Sequence, residues 1–323
     1  MTCQGTGRPA PIAAPPLVSV VIPTHNRAHY VTQAIDSVLA QTYANYEIIV
    51  VDDGSTDDTR HVLRAYGDRL RYIYQENHNR GPAAALNRAV SEARGKYIAL
   101  LDDDDMWLPS KLELQIAVLE QDPEIGFLGT DMYITDASGN VIDRWGKPPS
   151  VAETFASLIE DNILGNPSVV VRKRLFDQVG GFDASLRTTQ DYDLWLRLAR
   201  ISRFKCLDVP TVKWRMHGSN KHKDRVQKLE DRVRILTRCG NLDHLSFVGR
   251  RRRMAKLYYE YAEDFEGMGL FALAGRTYLK AVAAHPAVGR YYWRGRATGF
   301  LGWRPCRILR TYVRALRCLL KAL

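Results

Sequence analysis

Four runs of apolar residues, each followed by polar residues, lie in the first third of the chain. They span 17–23 (LVSVVIP), 46–51 (YEIIVV), 71–75 (RYIYQ) and 96–101 (KYIALL). Helical spacing of apolar residues separates them, at about 30–41, from Thr56 onward and at 81–93. Strands that alternate with helices predict right-handed crossovers and a mostly parallel sheet. Uninterrupted apolar strands predict burial on both faces of that sheet.

After Trp107 the pattern becomes mixed, and after about residue 225 it is wholly helical. We predict helices at 109–123, 154–164 and 190–202, and two strands at 126–142 that are joined by a Ser-Gly-Asn turn. A helical hairpin is predicted at 258–286. The predicted organisation is a disordered leader at 1–16, an α/β domain at 17–224 with halves 17–107 and 108–224, and a helical region at 225–323.

Polar side chains follow three of the predicted strands. Thr24 and Arg27 follow the first strand, Asp52 and Asp53 end the second, and the run 102–105 of four aspartates ends the fourth. The carboxyl ends of parallel strands meet at one edge of a sheet, where ligands bind. An isolated acidic run is typical of a solvated turn that caps a helix. With the second acidic strand end beside it, a divalent cation bound through carboxylate oxygens is favoured.

Six segments in this order resemble family 2 glycosyltransferases: VSVVIPTHNR, IIVVDDGSTDDT, NRGPAAALNRA, GKYIALLDDDDMW, GGFD and TQDYDLWLRL. The resemblance covers roughly residues 17–220. It implies the GT-A fold of nucleotide-diphospho-sugar transferases, a Rossmann-like mixed sheet flanked by helices, here followed by an all-α region. It also implies an inverting, metal-dependent enzyme that moves a sugar from a nucleotide-diphosphate donor to a hydroxyl group of a glycan or lipid-linked acceptor. Cell-surface polysaccharide synthesis is the expected setting.

The resemblance also implies roles for individual residues. Asp53, with Asp52 as the less favoured neighbour, would accept a hydrogen bond from the base, and Asp102 would reach the ribose or a metal-bound water. The expected nucleotide-sugar-binding residues are Thr24, Arg27, Asp52, Asp53, Arg80, Asn87, Asp102 and Asp103. The nucleotide stays open between UDP, GDP and dTDP.

The metal and catalytic residues follow from the same resemblance. Asp104, in a DxD motif with Asp102, would bind Mg²⁺ or Mn²⁺ directly, and His217 would complete the metal or diphosphate site, although it also suits a surface loop. Asp191 would be the base that deprotonates the acceptor hydroxyl. Many members of the family have Glu-Asp at this point, whereas this chain has Gln190-Asp191. The alternative for Asp191 is a helix N-cap.

Two other functions fit parts of the sequence. A nucleotidyltransferase that makes nucleotide sugars also uses a carboxylate-rich strand end, but it is expected to carry a glycine-rich phosphate loop after the first strand. The segment PTHNRAHY contains no glycine. A non-catalytic protein that binds nucleotide sugars, or a scaffold protein, is the other alternative.

Charge is distributed unevenly along the chain. Residues 245–323 carry 16 Lys and Arg against 4 Asp and Glu, whereas the whole chain has a net charge of +10. Within 305–323, basic residues recur on one helical face and apolar residues on the other, which predicts either a peripheral contact with an anionic membrane or docking on the protein. The segment RRRR, 250–253, is a second basic patch. Nucleic-acid binding is not expected, because no nucleic-acid motif accompanies the charge.

Five cysteines in no disulfide or zinc spacing favour free thiols in a reducing cytoplasm. No apolar run reaches the ~18 residues that a membrane-spanning helix needs. We therefore expect a cytoplasmic protein, on the inner face of the membrane if the basic helix binds lipid.

Overall fold

The computed structural model of the chain describes residues 17–76, 81–146, 153, 155–218, 224–240 and 246–285. Within these residues the chain forms two compact units. The first takes in 17–153, 163–184 and 197–217, and the second takes in 155–162, 185–196 and 218–285. The leader 1–16 and the basic segment 305–323, which the sequence singled out, lie outside the described residues. The predicted domain boundary near residue 224 stays a prediction.

The first unit is built on a mixed sheet, to which the described residues contribute nine strands. The strands are β1 (Val18–Thr24), β2 (Tyr46–Asp52), β3 (Arg71–Tyr74), β4 (Tyr97–Leu100), β5 (Met106–Trp107), β6 (Ile125–Thr135), β7 (Val141–Arg144), β8 (Val170–Arg172) and β9 (Arg203–Arg215). Their order is β3-β2-β1-β4-β8-β6-β9-β5, with β7 paired to β6. The first four strands are parallel, while β8 is antiparallel to both β4 and β6.

Helices accompany this sheet in the first unit. They are α1 (Ala28–Leu39), α2 (Thr59–Arg64), α3 (Pro82–Glu92), α4 (Lys111–Gln121) and α6 (Lys173–Gln178), with α5 (Phe155–Glu160) assigned to the second unit. All seven residues of β1 are buried, so both faces of this strand are covered. Val18, Val20 and Ile22 share one apolar cluster with Val31 and Ile35 of α1. The predicted α/β fold is confirmed.

Strand β9 was not predicted from the sequence. Its sequence, RFKCLDVPTVKWR, contains five charged residues and a proline, so no clear alternation of apolar and polar residues indicates a strand. It nevertheless pairs in parallel with β6 over most of its length and in antiparallel fashion with β5. Register shifts near Thr130 and Asp131 accommodate the irregular part of the strand. This strand leads directly to His217.

The second unit is helical in its C-terminal part, as predicted. It contains α8 (Arg225–Gly240), α9 (Phe247–Gly267) and α10 (Phe271–Ala284), and α7 (Gln190–Leu198) belongs to it up to Leu196. The turn between α9 and α10 is tight: Gly269 has φ +76°, and Leu270 N donates to Phe265 O at 2.8 Å. None of the described helices has the length and hydropathy to cross a membrane.

Candidate functional site

The carboxyl ends of β1, β2 and β4 lie side by side in the first unit. Thr24 is in register with Asp52, and Asp53 N donates to Thr24 O at 2.9 Å. The Thr24 hydroxyl donates to Asp103 Oδ2 at 2.8 Å. Parallel pairing of the three strands therefore brings together polar residues that the sequence separates by up to 79 positions.

The most connected group at this edge is the Asp104 carboxylate. Arg27 Nη1 donates to Asp104 Oδ2 at 2.5 Å, and His217 Nε2 lies 2.9 Å from the same oxygen. Arg27 Nη1 is also 3.1 Å from His217 Nε2. Three side chains from three separate segments therefore meet at one carboxylate oxygen.

The imidazole of His217 is held in place by its packing. Its side chain is only 3% exposed, and its ring stacks on that of Tyr30 with centroids 4.8 Å apart. Tyr30 belongs to α1, the helix that begins directly after Arg27. A surface loop histidine would be more exposed, so the burial favours a role at the site. Tyr30 was not identified from the sequence, because nothing in its spacing indicates a partner 187 positions away.

Asp103 and Asp105 flank the central carboxylate. Burial, and after it the charge of Asp104, raises the pKa of Asp103 to about 7, against the opposing effects of Arg27 and Thr24. Asp105 accepts from Arg215 N through Oδ1 at 2.8 Å, while its Oδ2 is buried and has no hydrogen-bond partner among the described residues. Burial also raises the pKa of Asp105 well above its usual range. The positive side chains beside the acidic run therefore do not balance the negative charge of its carboxylates.

Asp102 contacts Asn166, which lies in the buried Asn-Pro-Ser turn before β8. Asn166 Nδ2 donates to Asp102 Oδ1 at 2.7 Å, and Asn166 is 9% exposed. The neighbouring Pro167 carbonyl accepts from Trp107 Nε1 at 2.9 Å, which fixes the short helical turn that carries Asn166.

Asp52 and Asp53 are both engaged in hydrogen bonds within the first unit. Asp52 accepts from Ser55 N at 2.8 Å and from the Tyr72 hydroxyl at 2.9 Å. Asp53 accepts from Gln75 Nε2 at 2.6 Å and from Gly81 N at 3.1 Å. Asp52 is fully buried, so it shapes the loop after β2, whereas Asp53 is 4% exposed.

Asn87 and Arg80 are the two other residues that were expected to bind the nucleotide, and of these only Asn87 lies within the described residues. The side-chain amide of Asn87 forms two hydrogen bonds with the backbone of Phe182. Its Nδ2 donates to Phe182 O at 2.8 Å, and its Oδ1 accepts from Phe182 N at 2.9 Å. These contacts hold the Gly-Gly turn, in which a Cβ on Gly181 would lie 2.6 Å from Asn87 Oδ1. Arg80 lies outside the described residues. Their roles toward a nucleotide stay predictions.

Asp191 belongs to the second unit and lies in the first turn of α7. Its Oδ2 accepts from Asn162 Nδ2 at 3.3 Å. Burial raises the pKa of Asp191, while the positive charge of Lys228 acts in the opposite direction. A partly desolvated carboxylate of this kind binds a proton more readily than an exposed one, which is what a general base requires.

Asp104 and His217 are the residues in the first unit that fit a divalent cation best. Their Oδ2 and Nε2 atoms lie 2.9 Å apart, close to the roughly 3 Å that separates neighbouring ligands when each bond to the ion is about 2.1 Å. Within the described residues, no set of three or more His, Cys, Asp and Glu side chains is arranged to hold a metal. This donor set suits Mg²⁺ or Mn²⁺, which take their remaining ligands from phosphates and water.

Comparison with known proteins gives several relatives. The chain is 37% identical over 227 residues to an uncharacterized glycosyltransferase of Rickettsia prowazekii, which covers 67% of this chain and 69% of the relative. It is 35% identical over 190 residues to the putative teichuronic acid biosynthesis glycosyltransferase TuaG of Bacillus subtilis (57% of this chain, 73% of the relative). A Rickettsia felis glycosyltransferase is 37% identical, but the match spans 63% of this chain and only 35% of that protein.

One further relative has a fully specified name. The Escherichia coli enzyme WfgD, a UDP-Glc:α-D-GlcNAc-diphosphoundecaprenol β-1,3-glucosyltransferase, is 29% identical over 222 residues, which are 68% of this chain and 85% of that one.

Solved structures share the fold at low sequence identity. Staphylococcus aureus TarS 1–349 in complex with UDP-GlcNAc aligns with a TM-score of 0.63 at 20% identity, over 86% of this chain and 92% of that one. The mannosyltransferase PcManGT of Pyrobaculum calidifontis, in complex with GDP-Man and Mn²⁺, aligns with a TM-score of 0.57 at 20% identity, over 94% and 81%. These likenesses support the GT-A type of fold.

The match to the family covers the elements that build the site. Residues 19–180 match the family described as "Glycosyl transferase family 2", a span that begins in β1 and ends after α6. It contains Arg27, Asn87 and the whole acidic run after β4. The resemblance noted from six short segments, and the expectation of an enzyme, are thereby confirmed. The chain belongs to glycosyltransferase family 2.

Proposed function

We propose that the protein is an inverting glycosyltransferase that moves a sugar from a nucleotide-diphosphate donor to a hydroxyl group of a glycan or lipid-linked acceptor, with Mg²⁺ or Mn²⁺. The observation that carries the proposal is the Asp104 carboxylate, at which Arg27 and His217 meet. The relatives named for teichuronic acid biosynthesis and for a diphosphoundecaprenol acceptor support a role in cell-surface polysaccharide synthesis.

Asp104 and His217 are the residues that would hold the cation. A bound cation would neutralise charge that develops on the leaving diphosphate. The excess of carboxylates over cations beside Asp104, and the raised pKa of Asp103, support a site that takes a positively charged ligand. The Mn²⁺ in the PcManGT complex gives further support.

The chain's own residues would position the donor. The Arg27 guanidinium is a natural partner for diphosphate oxygens, because its terminal nitrogens can donate two hydrogen bonds at once. The hydrogen bond from Thr24 holds Asp103 at the same edge, and Asn166 fixes the orientation of Asp102. The UDP-GlcNAc complex of TarS supports a nucleotide-sugar donor of this kind, and UDP is the nucleotide to test first.

Asp191 is proposed as the general base. In an inverting reaction the acceptor oxygen attacks the anomeric carbon from the face opposite the diphosphate, and a base removes the hydroxyl proton as the bond forms. The Asp191 carboxylate is partly buried, has a raised pKa and is oriented by Asn162. Gln190 beside it is neutral, so no second carboxylate adjoins it on that side.

A donor screen tests this function. Purified protein is incubated with UDP-, GDP- and dTDP-sugars and with a lipid-linked or free saccharide acceptor, with and without Mn²⁺, and release of nucleoside diphosphate is measured. We expect release from at least one donor, dependent on the divalent cation and on Asp104. The anomeric configuration of the product, determined by NMR, should be opposite to that of the donor. Retained configuration, or release that is equally fast in the presence of a chelator, would contradict the proposal.

A further inference from the structure

A cavity of about 350 Å³ lies in the second unit, and the proposed sugar transfer uses none of its lining residues. We refer to it as the arginine pocket. Its apolar walls come from α5, α8 and α9, and Arg250, Arg251 and Arg253 line it as well. The lining residues used below are Ile159, Leu236, Phe247, Arg250, Arg253 and Met254.

The Arg253 guanidinium is the unusual group in this pocket. The residue is only 3% exposed, and its Nε donates to Ile159 O at 2.6 Å. Its two terminal nitrogens, Nη1 and Nη2, are buried and donate to no described residue. Arginine keeps its charge at all ordinary pH values, so it cannot relieve this cost by losing a proton. Glu260 of the same helix acts on Arg253 electrostatically, but no described group accepts a hydrogen bond from Nη1 or Nη2. Buried donors without acceptors are unfavourable, and an anion at Nη1 and Nη2 would reduce that cost.

Neighbouring arginines of the same unit do have partners. Arg251 donates through Nε to Ala284 O at 2.6 Å and through Nη2 to Ala283 O at 2.8 Å, at the C-terminal end of α10. Arg232 of α8 lies 3.8 Å from the Asp161 carboxylate. Arg232 Nε and Nη2 are nevertheless buried and donate to no described residue, as is the case for Arg253 Nη1 and Nη2. Of these two arginines, Arg253 is the one that lines the pocket.

The position of the arginines on α9 adds to the argument. Arg250 closes the first turn of α9, a helix of 21 residues, and 251–253 follow in the second turn, near the positive end of the helix dipole. Four adjacent cations at this end weaken the helix instead of stabilising it. An anion bound there interacts favourably with both the dipole and the guanidinium groups. The positive charge of the lining arginines exceeds the single negative charge of a carboxylate. This excess favours a phosphate group as the ligand.

The walls and mouth of the pocket are apolar. Leu236 and Met254 line it beside Arg253, and Phe247 at its edge is 64% exposed. Val248, the next residue, is 60% exposed. Large apolar side chains at such exposure, directly beside basic residues, are typical of surfaces that contact lipid. A ligand with both a phosphate and a hydrocarbon part would satisfy both features at once.

We propose that the arginine pocket binds the phosphate group of an anionic lipid, with Arg253 on the phosphate oxygens and the Leu236, Phe247 and Met254 side chains against the start of the lipid chain. Apart from Glu260, which acts on Arg253 electrostatically, the segments that follow α8 and α10 offer few competing anions. Residues 286–323 contain no Asp or Glu, and the connection between α8 and α9 contains one carboxylate, that of Asp243. The proposal does not depend on the sugar-transfer reaction.

Calorimetric titration of the full chain with n-octyl phosphate tests it. We expect octyl phosphate to bind, inorganic phosphate to bind about tenfold more weakly or not at all, and octyl glucoside not to bind. Arg253→Gln should weaken octyl phosphate binding by about tenfold to a hundredfold, since hydrogen bonds to charged groups carry this much affinity. Arg252→Gln is the matched control, because it removes the same charge from an exposed neighbour, and we expect less than a twofold change. Absence of octyl phosphate binding, or equal effects of the two variants, would overturn the proposal.

A second variant keeps the test valid if Arg253→Gln does not fold. Phe247→Ser changes a mostly exposed residue. It should weaken the binding of octyl phosphate and leave any binding of inorganic phosphate unchanged. Phe271→Ser, at a residue of 53% exposure away from the pocket, is its control. Co-sedimentation with phosphatidylcholine vesicles, with and without phosphatidic acid, extends the test to membranes. The Arg253→Gln and Arg252→Gln variants have the same net charge, so a specific lipid site predicts that less Arg253→Gln protein sediments with the phosphatidic acid vesicles. Equal sedimentation of the two variants would contradict such a site.

Discussion

Asp104 Oδ2 and His217 Nε2 lie 2.9 Å apart although 113 positions separate the two residues in the chain. Asp104 follows the parallel strand β4, and His217 follows β9, whose antiparallel pairing with β5 brings the two chain segments together. The Asp105 carboxylate accepts from Arg215 N, which fixes the register two residues before His217. The contact is thus built by the sheet, so its geometry does not depend on a free loop.

Replacement of the proposed base should separate binding from catalysis. Asp191→Asn keeps the size of the side chain but cannot accept a proton, so we expect kcat to fall by about 10²–10⁴-fold while the donor still binds. Donor affinity measured by calorimetry should change less than twofold. Loss of donor binding, or turnover close to that of the unaltered protein, would remove Asp191 from the role of base.

The pH profile should report the same group. Asp191 works as a base only when deprotonated, so kcat/KM should fall as the pH is lowered through its pKa, which burial raises above the ordinary value for aspartate. Lys228→Met removes a positive charge that lowers this pKa, and the acidic limb should therefore move to higher pH. Lys280→Met, at an exposed lysine of the same unit, should leave the limb in place. A limb that moves to lower pH in Lys228→Met would contradict the assignment.

A buried lysine in the first unit makes a prediction about stability. Lys111 is fully buried, its Nζ donates to Gln115 Oε1 at 2.6 Å, and burial lowers its pKa well below the usual value. The folded state therefore binds this proton less tightly than the unfolded state, and the resulting penalty is complete below the folded pKa and disappears above the unfolded pKa of about 10.4.

Lys111→Met should accordingly raise the free energy of unfolding at pH 7 by about 1 kcal/mol, since the gain is partly offset by the lost hydrogen bond to Gln115. Urea unfolding at several pH values measures it, and the gain should shrink as the pH rises toward 10. Lys96→Met, which removes an exposed ion pair with Glu120, should not increase stability. A Lys111→Met variant less stable than the parent at every pH would show that the lysine is well accommodated.

Asn87 offers a test between a structural and a nucleotide-binding role. Both ends of its amide bind the backbone of Phe182, so Asn87→Ala should lower the free energy of unfolding by about 1–3 kcal/mol. If the role is structural, the donor KM of the folded variant should change less than twofold. A large increase in donor KM with unchanged stability would instead support the nucleotide-binding role that the family resemblance implies.

Of the strands that the sequence predicted, β1 and β4 are completely buried and β2 is buried from Ile48 onward, whereas β3 is only partly buried and β7 is exposed. In β1, β2 and β4 apolar residues follow one another without interruption, because helices cover both faces, and the polar residues that end these strands could be placed at one edge of the sheet. Strand β9 could not be predicted in this way. Its charged residues and Pro210 follow no period of two, and its pairing with β6 is a long-range interaction that a local pattern does not encode.

The same distinction holds within the site. Arg27, Asp103 and Asp104 could be selected because residue type and strand position point to chemistry. The contacts that orient the site, Tyr30 against His217 and Asn166 against Asp102, join residues far apart in the chain, and no spacing in the sequence indicates these pairings. Their identification required the three-dimensional arrangement.

Calorimetric titration of UDP and GDP into the protein, with and without Mn²⁺, tests the central claim most directly. We expect Mn²⁺ to increase the affinity for one of the two nucleotides by at least about tenfold. Asp104→Asn should abolish that increase. Asp68→Asn is the control, because Asp68 is exposed and does not belong to the acidic run, and this variant should preserve the increase. Nucleotide affinity that is unaffected by Mn²⁺, or a Mn²⁺ effect that persists in Asp104→Asn, would contradict a cation site at the end of β4.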